Sequence, residues 1–439
     1  MLAFILQIKA WTASGQFFLF AVFMLMIWVL WILRVTLAKY YRPWTTPYEV
    51  TTSVIIPVVD EPEQLFRSVL QRILQQRPTE VIVVINGPRN EVLEKICSDL
   101  GVRWIWTDIP GKRNALKVGV DLATSDIAVL VDSDTTWTMG TLSELVKPFR
   151  DPRVGGVTTR QRILDPGRSE LTRWADWLEN VRNEYSMPAM SVLGTVGCLP
   201  GRTIAFRRSI LVRSMDRFLG DKFLGVFLEV SDDRTLTNYT LMSGFRTVYQ
   251  STSLVYTDAP TTLKKLAKQQ YRWARGSQYN TLRMLEWMLR NTPLLAVFYL
   301  ADIVVPFVLV GSCISWAITL VTGMHSDLYT GLPLPASPLA AVAFVIVLSG
   351  VLTTLSLAIR FGRHFAQRPT EIVHLPVFMM INALLLIPVR VLGFFRMAHN
   401  AGWGTRVGGF AGEKERNPLR LVPYVLGCLM LLGSVMIGV

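Results

Sequence analysis

An apolar run that ends in two carboxylates, IAVLVDSDT at residues 127–135, organises the fold predicted for this chain. Its five consecutive aliphatic residues predict a strand buried on both faces, as in the middle of a parallel sheet, with ligands at its carboxyl end. Because side chains alternate along an extended backbone, Asp132 and Asp134 point the same way. Two convergent carboxylates suit a hard divalent cation that also binds phosphate oxygens. The tetrapeptide Asp-Ser-Asp-Thr taken alone is more typical of a surface turn, so the assignment depends on the rest of the chain.

The composition is that of a membrane protein. Of 439 residues, 51% are hydrophobic and only 18% are charged, which is too apolar for an ordinary soluble protein. The net charge of +13 comes without a long Lys/Arg run, so we expect no nucleic-acid partner. Cations beside apolar segments instead suit membrane lipids with anionic headgroups and negatively charged substrates. The four cysteines are too far apart for a disulfide framework or a zinc site.

Four apolar segments predict membrane spans with both termini outside: residues 17–33, 293–322, 338–359 and 421–438. Basic residues after the first segment place the following region in the cytoplasm, and the segment lacks a cleavage site, which indicates a retained anchor. Residues 372–395 are also apolar, but Pro376, Asn382 and Pro388 interrupt them and basic residues flank both ends. We therefore predict an interfacial or re-entrant segment there. Asp302 would cost about 3 kcal/mol in lipid, so we expect it to face protein or a polar path.

An α/β domain is predicted from about Tyr48 to Asp258. Strands at 54–59 and 81–85 flank an amphipathic helix at 63–76, which makes a βαβ unit with a parallel sheet. The strands end in Asp60-Glu61 and Asn86-Gly87. Polar groups thus collect at the carboxyl edge of the sheet, where a nucleotide would bind.

Three short motifs follow, and each also has a purely structural interpretation. The turn GKR at 111–113 brings two cations to a helix start, where a diphosphate could bind, but it also suits a solvated turn. In SDDR at 231–234, one aspartate can act as a base while the other is a cap or a salt-bridge partner. In QQYRW at 269–273, helical spacing puts Gln269, Arg272 and Trp273 on one face. A plain amphipathic helix at the membrane surface would explain the lysines before it.

Taken in order, these motifs resemble the processive membrane glycosyltransferases of family 2, above all the hyaluronan synthases and the type 3 capsular polysaccharide synthases. The resemblance rests on residues 57–61, the 111–113 turn, DSD at 132–134, SDDR with LTN at 236–238, the Gln-x-x-Arg-Trp motif and WGTR at 403–406. It implies a GT-A-like α/β nucleotide-sugar-binding domain with a Rossmann-type sheet, combined with an α-helical transmembrane region. The implied domains are an anchor at 1–44, the transferase domain at 45–258, interfacial helices at 259–292, and a translocation region with a gating loop at 293–439.

The resemblance also implies roles for individual residues. Asp132 and Asp134 would hold Mg²⁺ or Mn²⁺, and Asp233 would be the catalytic base. Donor or acceptor binding is implied for a larger set: Asp60, Glu61, Asn86, Lys112, Arg113, Asp132, Cys198, Asp232, Arg234, Gln269, Arg272, Trp273, Trp403 and Arg406.

The chemistry of these residue types suits such roles. A metal and cations can neutralise the charge that develops on a departing diphosphate. The acceptor hydroxyl needs a base, and an indole face can stack a sugar ring.

Two positions depart from the family pattern. Asn86 stands where the family usually has an aspartate; it can still accept a hydrogen bond from uracil but brings no charge. At residues 197–202 the chain has GCLPGR, where the family resembles Gly-Cys-x-Ser-Gly-Pro. Because this segment borders the acceptor, the departure bears on which polymer is made.

The sequence therefore predicts an inverting, processive polysaccharide synthase of the plasma (inner) membrane with a cytoplasmic catalytic domain. Its partners would be UDP-sugars, the growing polysaccharide and membrane lipids. Hyaluronan or a related glucuronate-containing capsular polymer is the expected product. One alternative is a non-processive transferase that acts on a lipid carrier. The other is a transporter or scaffold with a degenerate transferase domain, which would have lost one of the carboxylates.

Overall fold

The structure, a computed structural model, describes residues 19–322, 338–399 and 417–438. Its strands are β1 Thr52–Val58, β2 Glu80–Asn86, β3 Arg103–Thr107, β4 Ile127–Val131, β5 Thr136–Trp137, β6 Val154–Ile163, β7 Thr203–Arg207, β8 Lys222–Phe223, β9 Val226–Phe227 and β10 Arg246–Thr257. Its first ten helices are α1 Leu19–Ala38, α2 Glu63–Leu74, α3 Glu91–Asp99, α4 Lys112–Leu122, α5 Thr141–Val146, α6 Glu170–Val181, α7 Met187–Leu193, α8 Arg208–Leu219, α9 Asp232–Met242 and α10 Leu263–Asn291. The remaining helices are α11 Pro293–Thr322, α12 Pro338–Arg360, α13 Gly362–Gln367, α14 Leu375–Ile381, α15 Ile387–Phe395 and α16 Val422–Gly438. Short 3-10 segments lie at Lys147–Arg150, Pro166–Arg168, Pro369–His374 and Pro418–Leu421, and π turns lie at Arg182–Ser186 and Asn382–Leu386.

Strand β4 lies inside an eight-stranded sheet of order β3-β2-β1-β4-β7-β6-β10-β5, which is the central position predicted for it. The prediction of a parallel sheet holds only on one side. Strand β4 pairs parallel with β1, but β7 runs antiparallel to it, with Val131 opposite Thr203. The sheet is therefore mixed. This reversal brings the segment just before β7 to the carboxyl end of β4.

Both faces of the sheet are covered, which explains why its inner strands are aliphatic without alternation. On one face, Val129 and Val131 belong to an apolar cluster with Phe66 of α2. On the other face, Leu130 belongs to a cluster with Leu116 of α4. All five residues of β4 are buried, so only the residues that follow the strand can meet a ligand.

The chain divides into two compact units. One unit is Val35–Ala296 with Met397–Arg420, and it contains the sheet. Helix α10, for which the sequence predicts a separate interfacial region at 259–292, clusters with this unit. The other unit is Met1–Arg34, Val297–Arg396 and Leu421–Val439. In it, Arg34 is the ion-pair partner of Asp302 at 3.8 Å, but the Asp302 side chain is 48% exposed, so the expectation that it faces protein or a polar path stays a prediction.

Three helices among the described residues are long and apolar enough to cross a membrane: Pro293–Ser315, Pro369–Phe395 and Pro418–Met436. Two shorter apolar helices, Leu25–Ala38 and Ile346–Arg360, overlap the predicted spans at 17–33 and 338–359. The total of four spans stays a prediction.

The segment at 372–395 differs from its prediction in one respect. Pro376 lies where a 3-10 segment passes into α14, Pro388 lies just after a π turn, and the helical run continues through both as Pro369–Phe395. A π turn at Asn382–Leu386 links the two helices. The prolines therefore do not interrupt the segment, and the argument against a crossing that rested on them is wrong. The flanking basic residues remain, and the interfacial placement stays a prediction.

Candidate active site

A cleft opens at the carboxyl end of β4 and collects charged side chains from three elements. Lys112 comes from the start of α4, Asp132 follows β4, and Asp232 and Asp233 begin α9. Gly201, from the segment before β7, completes the wall. Residues far apart in sequence thus meet where the sheet topology predicts a ligand.

Lys112 is held in the cleft by a carboxylate. Its Nζ donates to Oδ1 of Asp132 at 2.6 Å. Burial by itself would lower the pKa of Lys112, but the charges of Asp132, Asp232 and Asp233 outweigh it and raise this pKa. The lysine is therefore a charged donor. The predicted turn before it is confirmed, because Gly111 caps α4 at φ +109°, a backbone conformation that L side chains rarely adopt.

Asp134 belongs to a group of carboxylates that repel one another. Burial, together with the charges of Asp132 and Glu61, raises the pKa of Asp134 to about 6, although Arg202 and Lys112 oppose the rise. Glu61 accepts a hydrogen bond from Ser133 Oγ at 2.8 Å. The backbone at 132–134 is a turn and not the predicted extended strand, since the Thr135 N–H donates to the Asp132 carbonyl at 3.0 Å. A bound cation would relieve this repulsion.

Asp233 is fixed in the cleft by backbone amides. Its Oδ2 accepts from the Gly201 N–H at 3.1 Å, and its Oδ1 accepts from the Arg234 N–H at 2.8 Å. Burial raises the pKa of Asp233; the Arg234 N–H and Lys112 oppose the rise, and Asp232 and Asp132 add to it. A positioned carboxylate of raised pKa is a stronger base than a free aspartate.

Asp232 has the salt-bridge role that the sequence left open. Its Oδ1 accepts from Nε of Arg113 at 3.0 Å, and Arg113 also donates to the Phe218 carbonyl at 2.7 Å. Arg113 is only 1% exposed. The pair ties α4 to α9 and thereby sets where Lys112 and Asp233 stand relative to each other.

Helix α10 supports the segment that leads to Asp233. Tyr279 OH donates to the Val230 carbonyl at 2.7 Å, and Arg234 donates to the hydroxyls of Ser277 and Thr281 at 3.0 and 2.8 Å. Ser231 precedes α9 at φ +59° and makes no side-chain cap. Such a conformation costs about 1–3 kcal/mol and persists only where neighbours hold it.

A second cleft carries the tryptophan of the Gln-x-x-Arg-Trp motif. Gln269 and Trp273 line it with Glu179 and Arg202, and Trp273 is 37% exposed. The guanidinium of Arg202 lies 5.8 Å from the centre of the indole ring. Arg272 does not line this cleft, so the structure joins two residues of the predicted triad there and separates the third.

One short segment, Pro200–Arg202, connects the two clefts. The Gly201 N–H binds Asp233, and the Arg202 carbonyl accepts from the Asp132 N–H at 3.0 Å. The Arg202 side chain extends into the second cleft.

The profile of "Glycosyltransferase like family 2" matches residues 49–276, which is more than half of the chain. The chain belongs to glycosyltransferase family 2. It is therefore a glycosyltransferase, as the resemblance of its motifs implies.

Individual relatives agree with the family. The transferase is 24% identical to a hyaluronan synthase of Streptococcus pyogenes serotype M3 over 389 residues, which cover 85% of this chain and 88% of that one. It is 32% identical to an N-acetylglucosaminyltransferase of Rhizobium meliloti over 252 residues, which cover 55% and 59%. A mannosyltransferase of Pyrobaculum calidifontis, solved with GDP-Man and Mn²⁺, superposes with a TM-score of 0.52 at 19% identity and covers 83% of this chain and 96% of its own. That likeness shows the GT-A-like fold.

Other predicted residues of the transferase occupy different surroundings. Asn86 is buried, and its Nδ2 donates to the Ile109 carbonyl at 2.6 Å, which leaves its oxygen as an acceptor. Asp60 is exposed beyond β1. The Cys198 Sγ lies 3.9 Å from Asp233 Oδ2, and burial raises the pKa of this thiol to about 12, so it stays protonated. Trp403 and Arg406 lie outside the described residues.

Two features of the transferase were not predicted. The Gly201 N–H, which fixes Asp233, is a backbone group, and a motif of side chains cannot predict it. Arg202 contacts Gln161 and Glu179 at 2.8 and 2.9 Å besides stacking on Trp273. Its only trace in the sequence is the departure from the family pattern at 197–202.

Proposed function

We propose that this transferase is an inverting polysaccharide synthase that takes sugars from UDP-sugars, extends one glycan processively and passes it across the membrane. The leading product is hyaluronan or a related glucuronate-containing capsular polymer. The observation that carries the proposal is the pair of clefts joined by Pro200–Arg202, one with the base Asp233 beside Lys112 and Asp132, the other with an exposed indole. A donor and a sugar polymer can thus meet within one unit.

The donor diphosphate is assigned to the first cleft. Lys112 supplies a positive charge there, and the oxygen of Asn86 can accept from the uracil ring. Asp132 and Asp134 would hold Mg²⁺ or Mn²⁺. Among the described residues there is no cluster of three or more side chains with metal-ligating atoms, so phosphate and water would complete the set. Burial and the repulsion from Asp132 and Glu61, which raise the pKa of Asp134, fit a site that receives a cation. When bound, such a cation offsets the negative charge of the diphosphate.

The reaction itself needs one base. Asp233 takes the proton of the acceptor hydroxyl, the hydroxyl oxygen bonds to the anomeric carbon, and the bond from that carbon to the diphosphate breaks. Because the attack is direct, the anomeric configuration inverts and no nucleophilic residue is needed. A positioned base contributes roughly 10²- to 10⁴-fold.

The acceptor is assigned to the second cleft, where one face of a sugar ring stacks on Trp273. Holding the polymer there after each transfer would make synthesis processive. The three apolar helices would carry the product outward, with membrane lipids around them and the catalytic unit in the cytoplasm. The 88% coverage of a hyaluronan synthase supports this assignment over a transferase for a lipid carrier.

The test uses purified full-length protein supplied with each radiolabelled UDP-sugar singly and in pairs. Polymer is expected from UDP-glucuronate with one UDP-N-acetylhexosamine, only in the presence of a divalent cation, and degradable by a hyaluronan-specific hydrolase. A product of one added sugar on extracted lipid would replace the proposal by the lipid-carrier alternative. Asp233→Asn protein serves as the inactive control.

A further inference from the structure

Arg202 stands at the boundary of the second cleft with only part of its guanidinium in use. Its Nη1 donates to Gln161 Oε1 at 2.8 Å and to Glu179 Oε1 at 2.9 Å. Its side chain is 12% exposed, and Cζ lies 5.8 Å from the ring centre of Trp273. The side chain is thus held in one position by two acceptors and an indole.

The other edge of this guanidinium remains available. Nε and Nη2 of Arg202 make no hydrogen bond to any of the described residues. These two nitrogens form the edge of arginine that binds both oxygens of a carboxylate through parallel hydrogen bonds. Because Arg202 lines the cleft that also exposes Trp273, a ring stacked on the indole would have its substituents close to this edge.

The two carboxylates that line the cleft already have cationic partners. Glu179 pairs with both Arg202 and Arg182, at 2.9 and 3.0 Å, so two cations share one carboxylate. Asp258, which also lines the cleft, is already paired with Arg168 at 2.7 Å. Neither of these lining carboxylates therefore lacks a cation, which lowers the repulsion that an anionic acceptor would meet.

We propose that Arg202 is a specificity-determining residue that binds the carboxylate of a uronate unit in the growing glycan while Trp273 stacks on a sugar ring. The proposal rests on the proposed function and adds the chemical class of the acceptor unit that this cleft selects. It also gives the departure at 197–202 a role, because the family pattern has a proline where this chain has Arg202, and a proline offers no positive charge.

Binding to the full-length protein in detergent tests the proposal without relying on turnover. The probes are an oligosaccharide with alternating glucuronate units and the same oligosaccharide after its carboxyl groups are reduced to alcohols. Charge-assisted hydrogen bonds predict that the protein binds the acidic probe roughly 10- to 100-fold more tightly. Arg202→Gln should remove this preference by weakening only the acidic probe. Equal binding of both probes by the unmodified protein would overturn the proposal without any variant.

Arg182→Gln is the matched control, because it removes the other cation on Glu179 but not a residue that lines the cleft. It should keep the preference for the acidic probe. If Arg202→Gln weakened the binding of both probes equally, Arg202 would only shape the cleft. If Arg182→Gln also lost the preference for the acidic probe, Arg202 would only add to the positive charge of the region. Either result would overturn the proposal. Should Arg202→Gln fail to fold, Arg202→Lys takes its place and is expected to lose most of the preference, because lysine lacks the parallel donors.

The two proposals fail in different ways. Absence of any polymer from UDP-sugars would remove the proposed synthase function. A preference for the acidic probe that depends on Arg202 would still be measurable in that case.

Discussion

Replacing Asp233 by Asn tests the central chemical assignment, because the change removes a base but little volume. The carboxylate accepts from two N–H groups, at 3.1 Å from Gly201 and 2.8 Å from Arg234. An amide has one oxygen and can keep only one of these bonds. The unpaired N–H should cost about 1–3 kcal/mol of folding stability.

The expected loss of catalysis is larger than this structural cost. Removing a general base lowers the rate roughly 10²- to 10⁴-fold, which corresponds to about 2.7–5.5 kcal/mol on the barrier. Initial UDP release at saturating donor measures the rate, calorimetric titration measures UDP affinity, and thermal unfolding measures stability. We expect the rate to fall by at least 100-fold while UDP affinity changes less than threefold.

A matched control changes another aspartate of the same domain. Asp121 lies on α4 and pairs with Lys117 at 2.6 Å, and its side chain is 50% exposed. Asp121→Asn should leave the rate within about twofold. The base assignment is wrong if Asp233→Asn protein still elongates at a tenth of the normal rate, or if UDP affinity falls as much as the rate does.

The pH profile is an independent measure of the same base. Because burial raises the pKa of Asp233, with Asp232 and Asp132 adding to it and the Arg234 N–H and Lys112 opposing it, the carboxylate ionises above the usual range of an aspartate. A base must be ionised, so kcat/KM should fall as the pH decreases through this raised pKa. A kcat/KM that stays constant as the pH decreases to the usual pKa range of aspartate would contradict this assignment.

Three further changes probe the support of the site. Gly276→Ala adds a Cβ that would lie 2.5 Å from Ser231 Cβ and 2.9 Å from its Oγ. Thermal unfolding should therefore show a loss of about 1–3 kcal/mol of folding stability, and the second substitution Ser231→Gly should restore most of it. Arg113→Met leaves Asp232 buried without its ion-pair partner and should destabilise the protein by about 3–5 kcal/mol. If Arg113 served only to contact the nucleotide, the substitution would instead lower UDP affinity and leave the unfolding temperature unchanged. Asp134→Asn should abolish the gain in UDP affinity that Mg²⁺ provides in calorimetric titrations, and an unchanged gain would exclude Asp134 as a metal ligand.

Much of the fold could be predicted because it depends on local pattern. Five consecutive aliphatic residues predict a buried inner strand at 127–131, and the structure has it. The period-2 alternation predicted for Asp132 and Asp134 does not apply, because the chain turns there and the Thr135 N–H donates to the Asp132 carbonyl at 3.0 Å. The helix start at Lys112 is also a local effect, because Gly111 can adopt the positive φ with which the chain enters the helix. The antiparallel direction of β7 could not be predicted, because it depends on how a segment about 70 residues further along the chain packs against β4.

The sequence by itself therefore determined the carboxylates, the βαβ unit, the apolar helices and the family to which they belong, since each depends on residues near one another in the chain. Only the tertiary structure shows how the surroundings of the two adjacent aspartates differ, because Arg113 neutralises Asp232 while the backbone amides of Gly201 and Arg234 hold Asp233. It likewise decided that Arg202 lies beside Trp273 and that Arg272 lies outside that cleft. The physical reason is that the energy of a charge depends on which partners and how much water surround it, and folding alone brings those partners together.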